Sequence, residues 1–168
     1  MIKMTHQARV LKNIESLSSL TDTALQKIDV NILTVSSRKM NDLLGNTAYD
    51  DYVSLQNDET VTNAIEAIGW LYEEASLQER KLKDLELAEA YCALYYTAMA
   101  LKKIDIDTVM TQIETWGEGS IKPIDVMRVV EYADRYLIEA KIIVRPYSNE
   151  IEADDTIVSA GGISLISI

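Results

Sequence analysis

The chain has 168 residues, 48% apolar and 26% charged, which suits a single globular domain, with or without an appendage, that buries a core without staples. A net charge of −11 argues against a protein that grips nucleic acid by its phosphates, because that affinity comes from Lys and Arg. Cys92 is the single cysteine, which excludes an intrachain disulfide and Cys-based zinc sites.

The start, Met1 to His6, leads into polar sequence without an apolar h-region, so no signal peptide is expected. No run approaches the length of a membrane span, and a soluble, reducing cytoplasm is the simplest setting. Two prolines and six glycines favour long regular elements over many turns.

The first helix is expected over about Thr5–Leu17, with Ala8, Leu11 and Ile14 on one face. The segment Ser18 to Asp22 connects it to a second helix over Thr23–Leu44. There Leu25, Ile28, Ile32, Val35 and Leu43 keep the 3–4 spacing of a buried stripe. Gly45 supplies the stop, and residues 46–57 read as a polar loop containing Tyr49-Asp50-Asp51-Tyr52.

Asp58 is a good N-cap for a third helix whose buried stripe is Val61, Ala64, Ile65, Ile68, Tyr72 and Ala75. Ser76-Leu77-Gln78-Glu79 fits a capping box, so a fourth helix starts at Leu77 and runs to about Lys103; one continuous helix through this point is the alternative. Leu82, Leu85, Ala88, Cys92, Tyr95 and Met99 form its stripe, and Leu87, Ala90, Tyr91, Leu94, Ala98 and Leu101 widen it. A helix apolar around most of its girth belongs at the centre of a bundle. Cys92, in that apolar stretch, reads as a small buried hydrophobe.

Asp105 caps a short fifth helix, Ile106–Thr115. Pro123 sits in the first turn of a sixth, whose stripe is Met127, Val130, Ala133, Leu137 and Ala140. The pattern then changes. Ile142, Ile143 and Val144 read as a short strand stopped at Pro146. Ile157 and Val158, then Ile163, Leu165, Ile166 and Ile168, flank a turn at Gly161-Gly162. We therefore expect a mainly α protein: a six-helix bundle over residues 1–140 with a long central helix, then a β-prone tail over residues 141–168. That tail forms either a hairpin or an extended β arm that adds to a neighbour, since free β-prone ends aggregate.

Charge is distributed unevenly. Residues 1–39 hold six Lys and Arg against three Asp and Glu, whereas residues 40–79 hold nine acids and no base. Asp50, Asp51, Asp58, Glu59, Glu66, Glu73 and Glu74 make this an acidic surface, either a solvated face or one that repels DNA or meets a basic partner.

No residue is nominated as catalytic, metal-binding or cofactor-binding, and no cofactor is expected. His6 is the one histidine, so there is no paired-His metal site. Glu73 and Glu74 are adjacent on a helix and point to different faces. Asp105-Ile106-Asp107 lacks the later Gly and Glu of a calcium loop. Trp116-Gly117-Glu118-Gly119-Ser120 follows no strand and lacks the Lys of a phosphate loop. Tyr91, Tyr95 and Tyr96 suggest an aromatic cluster of core or interface.

Two stretches carry a family resemblance. The run Val35-Ser36-Ser37-Arg38-Lys39-Met40-Asn41-Asp42-Leu43-Leu44-Gly45, followed by Tyr49, resembles the helix-then-aromatic-loop segment of head–tail connector (adaptor) proteins of tailed bacteriophages. The run Leu82-Lys83-Asp84-Leu85-Glu86-Leu87-Ala88-Glu89-Ala90-Tyr91-Cys92-Ala93-Leu94-Tyr95-Tyr96 is similar to their central helix. The likeness spans about residues 22–104, in residue type and spacing without a diagnostic motif. This chain departs from the pattern by its sixth helix and longer C-terminal region.

The resemblance implies a non-enzymatic subunit of a connector ring, commonly of twelve copies, in the virion neck. Such a ring joins portal to tail and lines a conduit through which DNA passes without specific binding. The alternative is a small acidic cytoplasmic regulator or adaptor that covers a basic protein surface. Stoichiometry separates them: many copies in a ring, or one copy on a target.

Overall fold

The computed structural model describes residues 4–18, 31–68, 75–102 and 123–148. Among these the protein is mainly α, with no strand. The helices are α1 (His6–Ser18), α2 (Asn31–Leu44), α3 (Asn46–Gln56), α4 (Glu59–Ile68), α5 (Leu77–Lys102), α6 (Pro123–Glu131) and α7 (Ala133–Val144). A 3-10 turn, Arg145–Tyr147, follows.

Short side-chain signals set most of the helix ends. Thr5 caps α1, its hydroxyl accepting the Ala8 amide at 3.2 Å. Asp58 caps α4 through the amides of Thr60 and Val61, at 3.0 and 3.3 Å. Ser76 caps α5 by accepting the Glu79 amide at 3.2 Å, while its hydroxyl donates to the Glu79 carboxylate. This variant of the capping box returns the Glu to the Ser hydroxyl rather than to its backbone amide. Ala75 and Ser76 are not helical, so α4 and α5 are separate elements.

Gly45 holds φ at 86°, a left-handed value that a Cβ would penalise. It ends α2 and at once begins α3: its amide bonds the Asn41 carbonyl and its carbonyl accepts the Tyr49 amide, both at 2.9 Å. The expected polar loop over 46–57 is therefore a helix. Its Asn, Thr and Asp residues are mediocre helix formers, but Ala48, Tyr52 and Leu55 recur at helical spacing and all three are buried. Burial of that stripe overrode propensity. Tyr49 thus stands on a helix, its ring edge-on to Tyr52 with centroids 6.2 Å apart.

Ile142, Ile143 and Val144 are likewise helical, correcting the expected strand. β-branching lowers helix propensity only slightly, and continuing the helix lets Val144 bury one turn after Ala140. Pro146 lies within the 3-10 turn, and the backbone becomes extended at Ser148. The last two helices nearly form one: Tyr132 interrupts them, yet its amide reaches Arg128 and its carbonyl accepts Tyr136, both at 3.1 Å. Their buried stripe is Val129, Ala133, Tyr136, Ala140 and Val144, rotated from the expected one, so that Met127 is exposed.

Two compact units divide the chain: residues 1–39 with 86–140, and residues 40–85 with 141–168. In the first, Val10 and Ile14 of α1, Ala90, Ala93, Leu94 and Ala98 of α5, and Val129, Ala133 and Tyr136 form one buried cluster. The small residues on α5 let neighbours approach closely. In the second, α3 and α4 pack together. Tyr147 there donates to Asp84 at 2.8 Å, and the Lys81 ammonium lies 6.0 Å from its ring centre, tying the 3-10 turn to the start of α5. Along α5, no residue from Glu79 to Ala100 is exposed.

Candidate functional site

The densest polar arrangement lies inside the first unit, where α1 meets α5. His6 and Arg9 are three residues apart on α1; Glu86 and Glu89 are three apart on α5. That spacing puts each pair on one helix face. The His6 Nδ1 lies 2.7 Å from Glu86 Oε2, and its Nε2 lies 3.2 Å from Glu89 Oε2. The Arg9 Nε donates to both oxygens of Glu86 at 3.0 and 2.9 Å, and its Nη1 donates to the Met4 carbonyl at 2.8 Å. Arg9, Glu86 and Glu89 are buried, and the His6 side chain is 20% exposed.

Burial by itself would push the His6 pKa down. The hydrogen bonds and charges of Glu86 and Glu89 outweigh it and lift the value to about 9. At neutral pH His6 is thus an imidazolium with both N–H groups donated, leaving no lone pair for a metal ion or for taking a proton. Two cations face two carboxylates, and the charges balance. The arrangement is an ionic clamp between helices. Arg9 Nη2 is buried without a hydrogen bond, a cost that a purely apolar contact would not carry.

One turn beyond Glu89, Cys92 is fully buried. Burial, with the nearby Glu89 charge and against that of Lys39, pushes its thiol up to about 12. It packs as a small hydrophobe and is not poised as a nucleophile. Tyr91 stacks at a tilt on Tyr136, centroids 6.1 Å apart, joining α5 to α7, and burial raises both phenols. Tyr95 and Tyr96 meet edge to face at 5.1 Å.

The acidic residues named from sequence are distributed differently. Asp50, Asp51, Asp58 and Glu59 are exposed on α3 and the start of α4, and Glu66 is half-buried. Asp58 spends its carboxylate on the cap. Glu73 and Glu74 lie outside the described residues. Of the tail residues, Ile142 is exposed, Ile143 half-buried and Val144 buried; Ile157, Val158, Ile163, Leu165, Ile166 and Ile168 lie outside the described residues.

Sequence reasoning missed the clamp. Its available signal was two acids three apart where the central helix turns apolar, matched by two bases three apart on the first. Among the described residues no group of three or more His, Cys, Asp or Glu is arranged to hold a metal ion. No described helix is long and apolar enough to cross a membrane. Compared with protein-family models, curated proteins and solved structures, the chain matches none of them.

Proposed function

We propose that this chain is a structural, non-catalytic subunit of a head–tail connector ring of a tailed bacteriophage, joining portal to tail and lining the DNA conduit. The observation that carries this reading is the run Leu82–Tyr96, similar to the family's central helix. Here it lies wholly on α5, in the stretch where no side chain is exposed. The run Val35–Gly45 gives weaker support: it spans the end of α2 and its glycine stop, but Tyr49 after it stands on a helix and not in the aromatic loop of the resembled segment.

In this setting the helices of the first unit pack around α5. The C-terminal residues 149–168, proposed as a hairpin or extended β arm, engage adjacent proteins of the neck. Copies assemble as a ring, commonly of twelve in the resembled family, without a cofactor. An acidic lumen would let DNA phosphates slide past a surface that does not hold them.

Electron microscopy of purified portal complexes containing the chain tests the proposal. A ring of this subunit on the portal is the expected result. A monomer that never joins such a complex contradicts it. The exposed Asp50, Asp51, Asp58 and Glu59 also favour a second reading, a small acidic regulator covering a basic surface. Recovery of one copy bound to one soluble host protein would select it.

A further inference from the structure

α1 packs on a part of α5 that offers little relief. Val10 and Ile14 are buried in one cluster with Ala90, Ala93, Leu94 and Ala98, so three of the four α5 side chains are alanines. Side chains that meet a smooth helix surface are held close to it, but they are not held at one height along it.

The charged groups do discriminate between heights. His6 meets Glu86 at 2.7 Å and Glu89 at 3.2 Å, and Arg9 meets Glu86 at 2.9 Å. One turn earlier on α5 the two acidic positions become Leu82 and Leu85. One turn later they become Ala90 and Ala93, and all four of these residues are fully buried. Sliding α1 by a turn in either direction would therefore set two cations against buried apolar side chains. An unpaired charge is at its most costly there.

Two further observations set the clamp apart from a device for strength alone. His6 and Arg9 stand in the first turn of α1, which holds no acid, and the helix dipole disfavours cations at that end. Arg9 Nη2 is buried without an acceptor. Apolar side chains would carry neither cost, and they often replace buried ion pairs with no loss of stability.

We infer that the clamp is a register lock, admitting one seating of α1 along α5 among several that their apolar surfaces would accept. A single buried polar residue acts in this way in coiled coils, fixing register at a cost in stability. The lock reaches beyond α1. Val10 and Ile14 share their cluster with Val129, Ala133 and Tyr136, so the height of α1 also sets how α6 and α7 close the unit.

Methyl NMR of the full-length chain tests the lock with two variants. H6L/R9M/E86L/E89M makes the clamp apolar throughout. Its helical circular dichroism should be unchanged and its urea midpoint no lower than that of the wild type. The Val10, Ile14 and Leu94 methyl signals should split or broaden, with cross-peaks from α1 to α5 displaced by one turn, about 5 Å, in part of the population. H6E/R9E/E86R/E89K exchanges the charges between the helices and keeps their pairing, and Glu in the first turn suits the dipole. It should give one sharp set of signals with the wild-type cross-peaks.

An apolar variant with one sharp set of wild-type cross-peaks would overturn the lock, because packing alone would then choose the register. Loss of helix or of stability in that variant would also overturn it, since the clamp would then hold the unit together rather than choose its register. A charge-exchanged variant as heterogeneous as the apolar one would count against it too, because the particular side chains and not their pairing would set the seating.

Discussion

Glu86 and Glu89 on α5 and Asp50 and Asp51 on α3 are the same chemical group under opposite conditions. The first pair is buried, and each member is committed to a cation on α1. The second pair is exposed on a helix whose buried side is apolar. A buried carboxylate needs its partners, and removing one leaves an uncompensated charge. An exposed one is solvated and free to vary for stability, so its value lies in what approaches from outside.

The largest effect should come from breaking the clamp. Glu86→Gln removes the charge opposite both His6 and Arg9 and should cost about 3–5 kcal/mol in urea denaturation. For comparison, Leu94→Ala opens a cavity in the same unit's buried cluster and should cost about 2–5 kcal/mol. If Glu86→Gln were nearly neutral, the ionic pairing would be incidental to packing.

The next effect is pH dependence. The folded His6 value of about 9 lies above its ordinary 6.5. Its stabilisation is therefore complete below pH 6.5 and is lost as pH rises through 9. At about 1.4 kcal/mol per unit, discounted for partial exposure, the loss should be about 1–3 kcal/mol. Denaturation midpoints measured across this window should fall for the wild type and stay flatter for His6→Gln. A midpoint that rises with pH would contradict the clamp.

Asp58→Ala should cost about 1 kcal/mol in thermal or urea unfolding, through loss of its cap bonds to Thr60 and Val61. Asp50→Asn with Asp51→Asn should change stability by no more than about 0.5 kcal/mol. That smallest effect completes the contrast with Glu86.

Local signals were legible in the sequence wherever one residue type did one job. Asp58 and Ser76 cap where expected, Gly45 turns where expected, and α5 runs from Leu77 to Lys102 as its apolar girth requires. Residues 46–56 misled because polar composition resembled a loop, while the deciding fact was that Ala48, Tyr52 and Leu55 found something to bury against. Residues 142–144 misled because three β-branched side chains resemble a strand, although a helix already under way absorbs them at little cost. The clamp was out of reach for a different reason. Spacing shows that His6 and Arg9 share a face, and that Glu86 and Glu89 do, but it does not say that those faces meet.

If the chain is the ring subunit proposed above, many copies of it should be held together. Native mass spectrometry of the purified full-length chain measures this directly. A single closed oligomer of fixed copy number is the predicted result. A monomer at every concentration and salt would contradict it.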